Sequence, residues 1–157
     1  MEEHLKTRPH KQIFSKNIID DLKDEAIEKI KSKLLPDKKI LKIILIGSSV
    51  KYSFGKYEPP GFRGSLYSDF DFIIFVEDDY KIPKWLQKEP DGKPFPEDKM
   101  NLAYRKKKFI EKKYDAEVFF IRKVNLLNKK IQKLGEEAGI PMTLKTKHKH
   151  IIVFNRK

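Results

Sequence analysis

Three short runs of β-branched and aromatic residues limit what this chain can build. Residues 39–46 read K-I-L-K-I-I-L-I, residues 69–76 read D-F-D-F-I-I-F-V, and residues 115–122 read D-A-E-V-F-F-I-R. Each has the length of a strand and falls well short of the ~20 apolar residues a membrane helix needs. Within each run the apolar residues are consecutive rather than alternating, as in strands covered on both faces. The first run stops sharply at Gly47-Ser48-Ser49, and the second is polar on one face where it begins.

At 157 residues the chain has the size of one domain. Residues 1–16 are polar, contain Pro9 and lack a period, so they read as a loose N-terminal arm before a single domain over 17–157. Cysteine is absent, which removes disulfides, thiolate metal sites and a Cys nucleophile from consideration. The start, Met1-Glu2-Glu3-His4, has no apolar segment of signal-peptide length, and no stretch is membrane-spanning, so a cytoplasmic protein with no membrane partner is expected. Thirty-five Lys and Arg against 23 Asp and Glu give a net charge of +12. A field of that sign favours anionic partners such as nucleotides and nucleic acid. The same Lys- and Glu-rich, Cys-free usage also suits adaptation to heat.

Between the strands, Ile18, Leu22, Ala26, Ile30 and Leu34 recur every fourth residue, with Ile19 and Ile27 beside them. This predicts an amphipathic helix with Asn17 as its cap, Asp20 and Asp21 at its positive end, and Pro36 as its stop. Residues 53–68, with Gly55, Pro59, Pro60, Gly61 and Gly64, read as loop. A second loop is expected over 77–97, then helices over 97–113 and 123–135, and a last strand or hairpin within 142–154.

The acids carry the chemistry. Side chains at i and i+2 of a strand point the same way, so Asp69 and Asp71 project together, as do Asp115 and Glu117. Paired carboxylates repel unless a divalent cation lies between them, and hard oxygen donors suit Mg²⁺ or Mn²⁺ with substrate phosphates completing the shell. The Gly47-Ser48 turn lets backbone N–H groups approach a phosphate, and the Ser48 hydroxyl adds a donor. The segment G-S-S-V-K-Y-S-F-G lacks the end of a Walker P-loop.

The combination I-L-I-G-S-S followed by S-D-F-D-F-I-I-F resembles the G-S…S-D-x-D signature of the DNA polymerase β-like nucleotidyltransferase superfamily, and is closest to its minimal domains. The resemblance covers roughly residues 40–122. It implies an α/β (α+β) fold, a mixed β-sheet flanked by helices. It implies an enzyme that moves a nucleoside monophosphate from an NTP, ATP among the candidates, to a hydroxyl or phosphate acceptor and releases pyrophosphate. Asp69 and Asp71 would be the metal ligands, with a third acid from the later strand. That acid is Glu117 or Asp115; Glu117, followed by V-F-F-I, fits the family pattern better. The implied nucleotide contacts are Gly47, Ser48, Ser49, Lys51 and Ser68. The chain departs from the family in the long gap between Ser48 and Asp69, with 57–67 as an apparent insertion, and in Lys51 and Tyr52 standing where Arg-Gly is usual. Acceptors in view are RNA or a protein side chain; templated synthesis is not expected.

Other features read more plainly. His148 and His150 suit a lysine-guarded edge strand better than a metal site. The basic run 105–108 and Lys112-Lys113 reads as a solvated helix face or an electrostatic track for RNA. Trp85 is either a lid aromatic or a pin for its loop. The alternative to an enzyme is an inactive scaffold of the same fold that binds RNA or nucleotide through its basic surface.

Overall fold

The second and third apolar runs lie side by side. In a computed structural model, which describes residues 9–62, 64–88, 94–95, 100–101, 103–126, 128–130, 133 and 149–156, β4 (Phe70–Val76) runs parallel to β9 (Tyr114–Arg122). β2 (Ile40–Ile46) pairs antiparallel on the other side of β4, and β10 (Ile151–Asn155) pairs antiparallel with β2. Beyond β9, β8 (Ala103–Ile110) is antiparallel to it, and β5 (Gln87–Lys88) is antiparallel to β8. The order β10-β2-β4-β9-β8-β5 makes a six-stranded mixed sheet. Two small antiparallel pairs accompany it: β1 (Lys11–Ile13) with β3 (Gly55–Tyr57), and β6 (Pro94–Phe95) with β7 (Met100–Asn101). With α1 (Lys16–Leu34) and the short α2 (Ser48–Lys51), the class is mixed α+β.

The central strands are buried on both faces, which explains their consecutive apolar residues. Phe72 to Val76 and Val118, Phe120 and Ile121 are buried, and Ile43 to Leu45 lie against them. Tyr80 stacks on Phe120 with ring centroids 5.5 Å apart, and Phe54 meets Phe70 at 4.7 Å. Each such side chain removed from water contributes about 1.5–3 kcal/mol.

α1 covers the sheet with Ile19, Leu22, Lys23, Ala26, Ile30 and Leu34. Ile18 instead faces solvent at 50% exposure. The reason is phase: a strict four-residue repeat drifts by about 40° per step on a helix of 3.6 residues per turn, so Ile18 and Leu34 do not share one face. The cap is Ser15 rather than Asn17: its side chain accepts the Ile18 N–H at 3.4 Å. No acid lies in the first turn; Asp20 faces Tyr52 instead. Ser15→Ala should therefore cost about 1 kcal/mol, read as a melting temperature lower by about 2–4 °C, whereas Asn17→Ala should leave it unchanged.

Two further expectations are corrected. The arm is not loose throughout, because Lys11–Ile13 pairs with Gly55–Tyr57 out of the expected loop, with Lys11 opposite Tyr57 and Ile13 opposite Gly55. Residues 103–110 form strand rather than helix: the basic run lies against β9, and the chain turns back at 111–113. Of the helix expected over 123–135, Lys123–Asn125 form a 3₁₀ turn and Lys129, Lys130 and Lys133 are helical, while much of the remainder lies outside the described residues. The last strand is Ile151–Asn155, while 142–148 lie outside the described residues. Among the described residues no helix is long and apolar enough to cross a membrane.

Candidate active site

Register assembles the site. Ile46 lies opposite Asp71, Asp71 opposite Glu117, and Glu117 opposite Arg105. These four residues form one lateral row across β2, β4, β9 and β8, and cross-strand partners share a face of the sheet. Asp115 lies two residues before Glu117 on β9, and Asp69 lies two residues before Asp71, immediately ahead of the first residue of β4. Asp69, Asp71 and Glu117 are half-buried, and one oxygen from each lies within 4.8 Å of the others.

Asp115 does not belong to that group. Its Oδ1 accepts the Lys108 N–H at 2.9 Å, and its Oδ2 accepts Arg105 Nη1 at 3.3 Å. Of the two acids left open by the sequence, Glu117 therefore stands with the aspartate pair, and Asp115 anchors the neighbouring strand. Arg105 is the residue that sequence reasoning missed. Its guanidinium reaches Asp69 Oδ2 at 3.2 Å and Glu117 Oε2 at 3.0 Å as well as Asp115. Read on a helix face, Arg105 had no reason to meet the acids; read on a strand beside β9, it is their cross-strand neighbour.

The cluster carries excess negative charge. Burial, and then the charges of Asp69 and Glu117, push the Asp71 carboxyl well above its ordinary range, with Arg105 opposing. One guanidinium faces the four carboxylates Asp69, Asp71, Asp115 and Glu117. A site of this kind gains by taking up cations. Three carboxylates with oxygens in reach of one another are a donor set that fits Mg²⁺ or Mn²⁺.

Gly47 brings the backbone against these acids. Its φ is +89°, and a Cβ there would lie 2.3 Å from Asp71 Oδ2. Its carbonyl accepts the N–H groups of Val50 and Lys51, both at 3.1 Å, which starts α2. Tyr52, left-handed at φ 57°, ends it. The Tyr52 hydroxyl donates to Asp20 at 2.6 Å and accepts from Lys23 at 3.1 Å, so the turn is tied to α1. That hydrogen bond from Tyr52 is the leading reason Asp20 titrates below its ordinary range.

A cavity of about 330 Å³ opens over the acids. Gly47, Ser48 and Lys51 are in its lining, together with Lys11, Tyr57 and Tyr67. Its size falls within the range of small-molecule sites. Ser68 also lines it, but its hydroxyl is engaged, accepting from Lys11 at 3.3 Å and from the Gly55 N–H at 3.1 Å. Ser49 is buried at 1% exposure, outside the lining, and its Oγ has no partner among the described residues. Four of the five expected nucleotide contacts thus face one cavity, and Ser49 lies behind it. The apparent insertion contributes Tyr57 and Tyr67 to the lining.

Trp85 stacks on Phe109 at 6.3 Å and 17°, with Lys33 5.6 Å from its ring, so it pins its loop to the body. His148 lies outside the described residues, and His150 is not in the carboxylate group. The chain matches no family model and no curated protein.

Proposed function

We propose that this protein is a metal-dependent nucleotidyltransferase of the DNA polymerase β-like class. The observation that carries the reading is the convergence of Asp69, Asp71 and Glu117 within 4.8 Å under a cavity rimmed by Gly47 and Ser48. Asp69, Asp71 and Glu117 would hold Mg²⁺ or Mn²⁺, which supplies charge neutralisation at the reacting phosphate and a lower pKa for a bound hydroxyl.

The chain's own groups divide the remaining work. The Ser48 hydroxyl and the Gly47 turn hold phosphate oxygens, and Lys51 and Lys11 balance the charge of the triphosphate. Glu117 accepts the proton of the acceptor hydroxyl. The acceptor oxygen attacks the α-phosphorus, the bond to the β-phosphate oxygen breaks, and pyrophosphate leaves. The tie from Tyr52 to α1 keeps the phosphate-facing turn fixed, which favours in-line geometry.

The test is incubation with each α-labelled NTP and Mg²⁺ or Mn²⁺, in the presence of RNA and of a cell extract. Label should move to RNA or to protein, with pyrophosphate released, and the Asp69→Asn/Asp71→Asn variant should transfer none. No transfer from any NTP, together with RNA affinity that survives or rises in that variant, would replace the enzyme with a binding module on the same scaffold.

A further inference from the structure

Arg105 occupies an unusual place for a cation. It sits in the same row as the acids and makes ion pairs at 3.2 Å to Asp69 and 3.0 Å to Glu117, two of the three residues able to hold a metal. Asp115 meets the same guanidinium nitrogen as Asp69, Nη1, at 3.3 Å and is itself fixed by the Lys108 N–H. The side chain is only 14% exposed, yet it lines the cavity. A guanidinium does not lose its proton in proteins, so this charge is permanent.

We propose that Arg105 is a resident counter-ion that makes cation binding and polyphosphate binding depend on each other. The inference rests on the metal-site reading above. Without a ligand, Arg105 offsets part of the repulsion among Asp69, Asp71 and Glu117. A divalent ion entering alone meets that fixed positive charge and competes with it for the same carboxylate oxygens, so it binds weakly. A polyphosphate arriving with the ion offers Arg105 new acceptors inside the cavity. The guanidinium then trades carboxylate for phosphate, and the ion gains the oxygens it leaves. Each ligand strengthens the other by the same factor, as linkage requires. Arg105 is a positioning residue for the acids and a direct contact for the anion.

Two affinities of the full chain test this: Mn²⁺ alone, and the preformed Mn²⁺–tripolyphosphate complex, both by calorimetry and manganese EPR. Arg105→Gln should move them in opposite directions. Mn²⁺ alone should bind about ten-fold tighter, because a unit positive charge is gone from its neighbourhood. The complex should bind about ten-fold more weakly, because the anion has lost its partner. General damage to the site moves both affinities down, and that result, or no change in either, overturns the proposal. Arg105→Lys, which keeps the charge, should leave both within about three-fold of the unaltered protein. It decides the matter if the Gln variant does not fold, and a larger change in either affinity counts against the counter-ion role. An unaltered protein that binds neither probe removes the metal-site reading itself. One that binds both, with Arg105→Gln shifting them together, removes only the role given to Arg105.

Discussion

Asp71→Asn should abolish nucleotide transfer and at the same time make the ion-free protein more stable. Turnover should fall by about 1000-fold or more, the scale expected when a group that stabilises transition-state charge is lost. The stability change has the opposite sign because the carboxylate is held at a cost. Its folded pKa is raised by burial and by Asp69 and Glu117, so ionised Asp71 disfavours the folded state. That penalty is present above the folded pKa and is relieved as pH falls through it. Asparagine keeps the shape and removes the charge. Thermal melts at neutral pH without divalent ions should place the variant higher by about 2–6 °C, corresponding to roughly 1–2 kcal/mol in a chain of this size. The difference between the two proteins should shrink as the pH is lowered. The subtraction matters, because Asp20 and Asp79, whose carboxyls are depressed by Tyr52 and Lys39 respectively, lose stability in the same acid direction. Mg²⁺ should raise the melting temperature of the unaltered protein and leave the variant unmoved. A variant that melts lower at neutral pH, or keeps a tenth of its turnover, contradicts this account of Asp71.

The parts legible in the sequence are those with strong local patterns. The three apolar runs became β2, β4 and β9 within a residue of their expected limits. Their two-residue side-chain period set Asp69 beside Asp71 and Asp115 beside Glu117; bringing Glu117 to the aspartate pair takes the parallel pairing of β4 with β9. The strand β8 was hidden because its signals are weak or inverted. Tyr104 to Lys108 is a polar run without alternation, and the turn after Ile110 has neither Gly nor Asn. Glu111 and Lys112 adopt positive φ there, at 52° and 56°, and Lys108 does so at 53°. Residues of these types seldom mark such conformations, and long-range pairing with β9 overrides the local preference. Arg105 was missed for the same reason, since its role exists only once β8 lies beside β9. The N-terminal strand is three residues long and owes its form to its partner, Gly55–Tyr57. Glu117 already matched the sequence pattern better than Asp115; what the sequence could not show is that Arg105 and Lys108 engage Asp115.

Gly47 makes the strongest demand on sequence at the site, and Gly47→Ala should show it. Two separate costs fall on the added methyl group. One is conformational: φ of +89° lies where side-chain-bearing residues are strained, by about 1–3 kcal/mol. The other is steric: the Cβ would come within 2.3 Å of Asp71 Oδ2, and the carboxylate or the turn must move. Together they should destabilise the protein by about 2–4 kcal/mol and lower its melting temperature by roughly 6–12 °C. Turnover should be lost as well, because the atom displaced belongs to a carboxylate proposed above to hold the metal. The two costs separate in a double-mutant cycle. In an Asp71→Ala background the steric term is gone and only the backbone strain is left. Gly47→Ala should then cost about 1–2 kcal/mol less than it does beside Asp71, a coupling of the size seen between residues in contact. Equal costs in the two backgrounds would mean that the backbone alone selects glycine here, and that the close approach of the turn to Asp71 contributes nothing to holding the carboxylate in place.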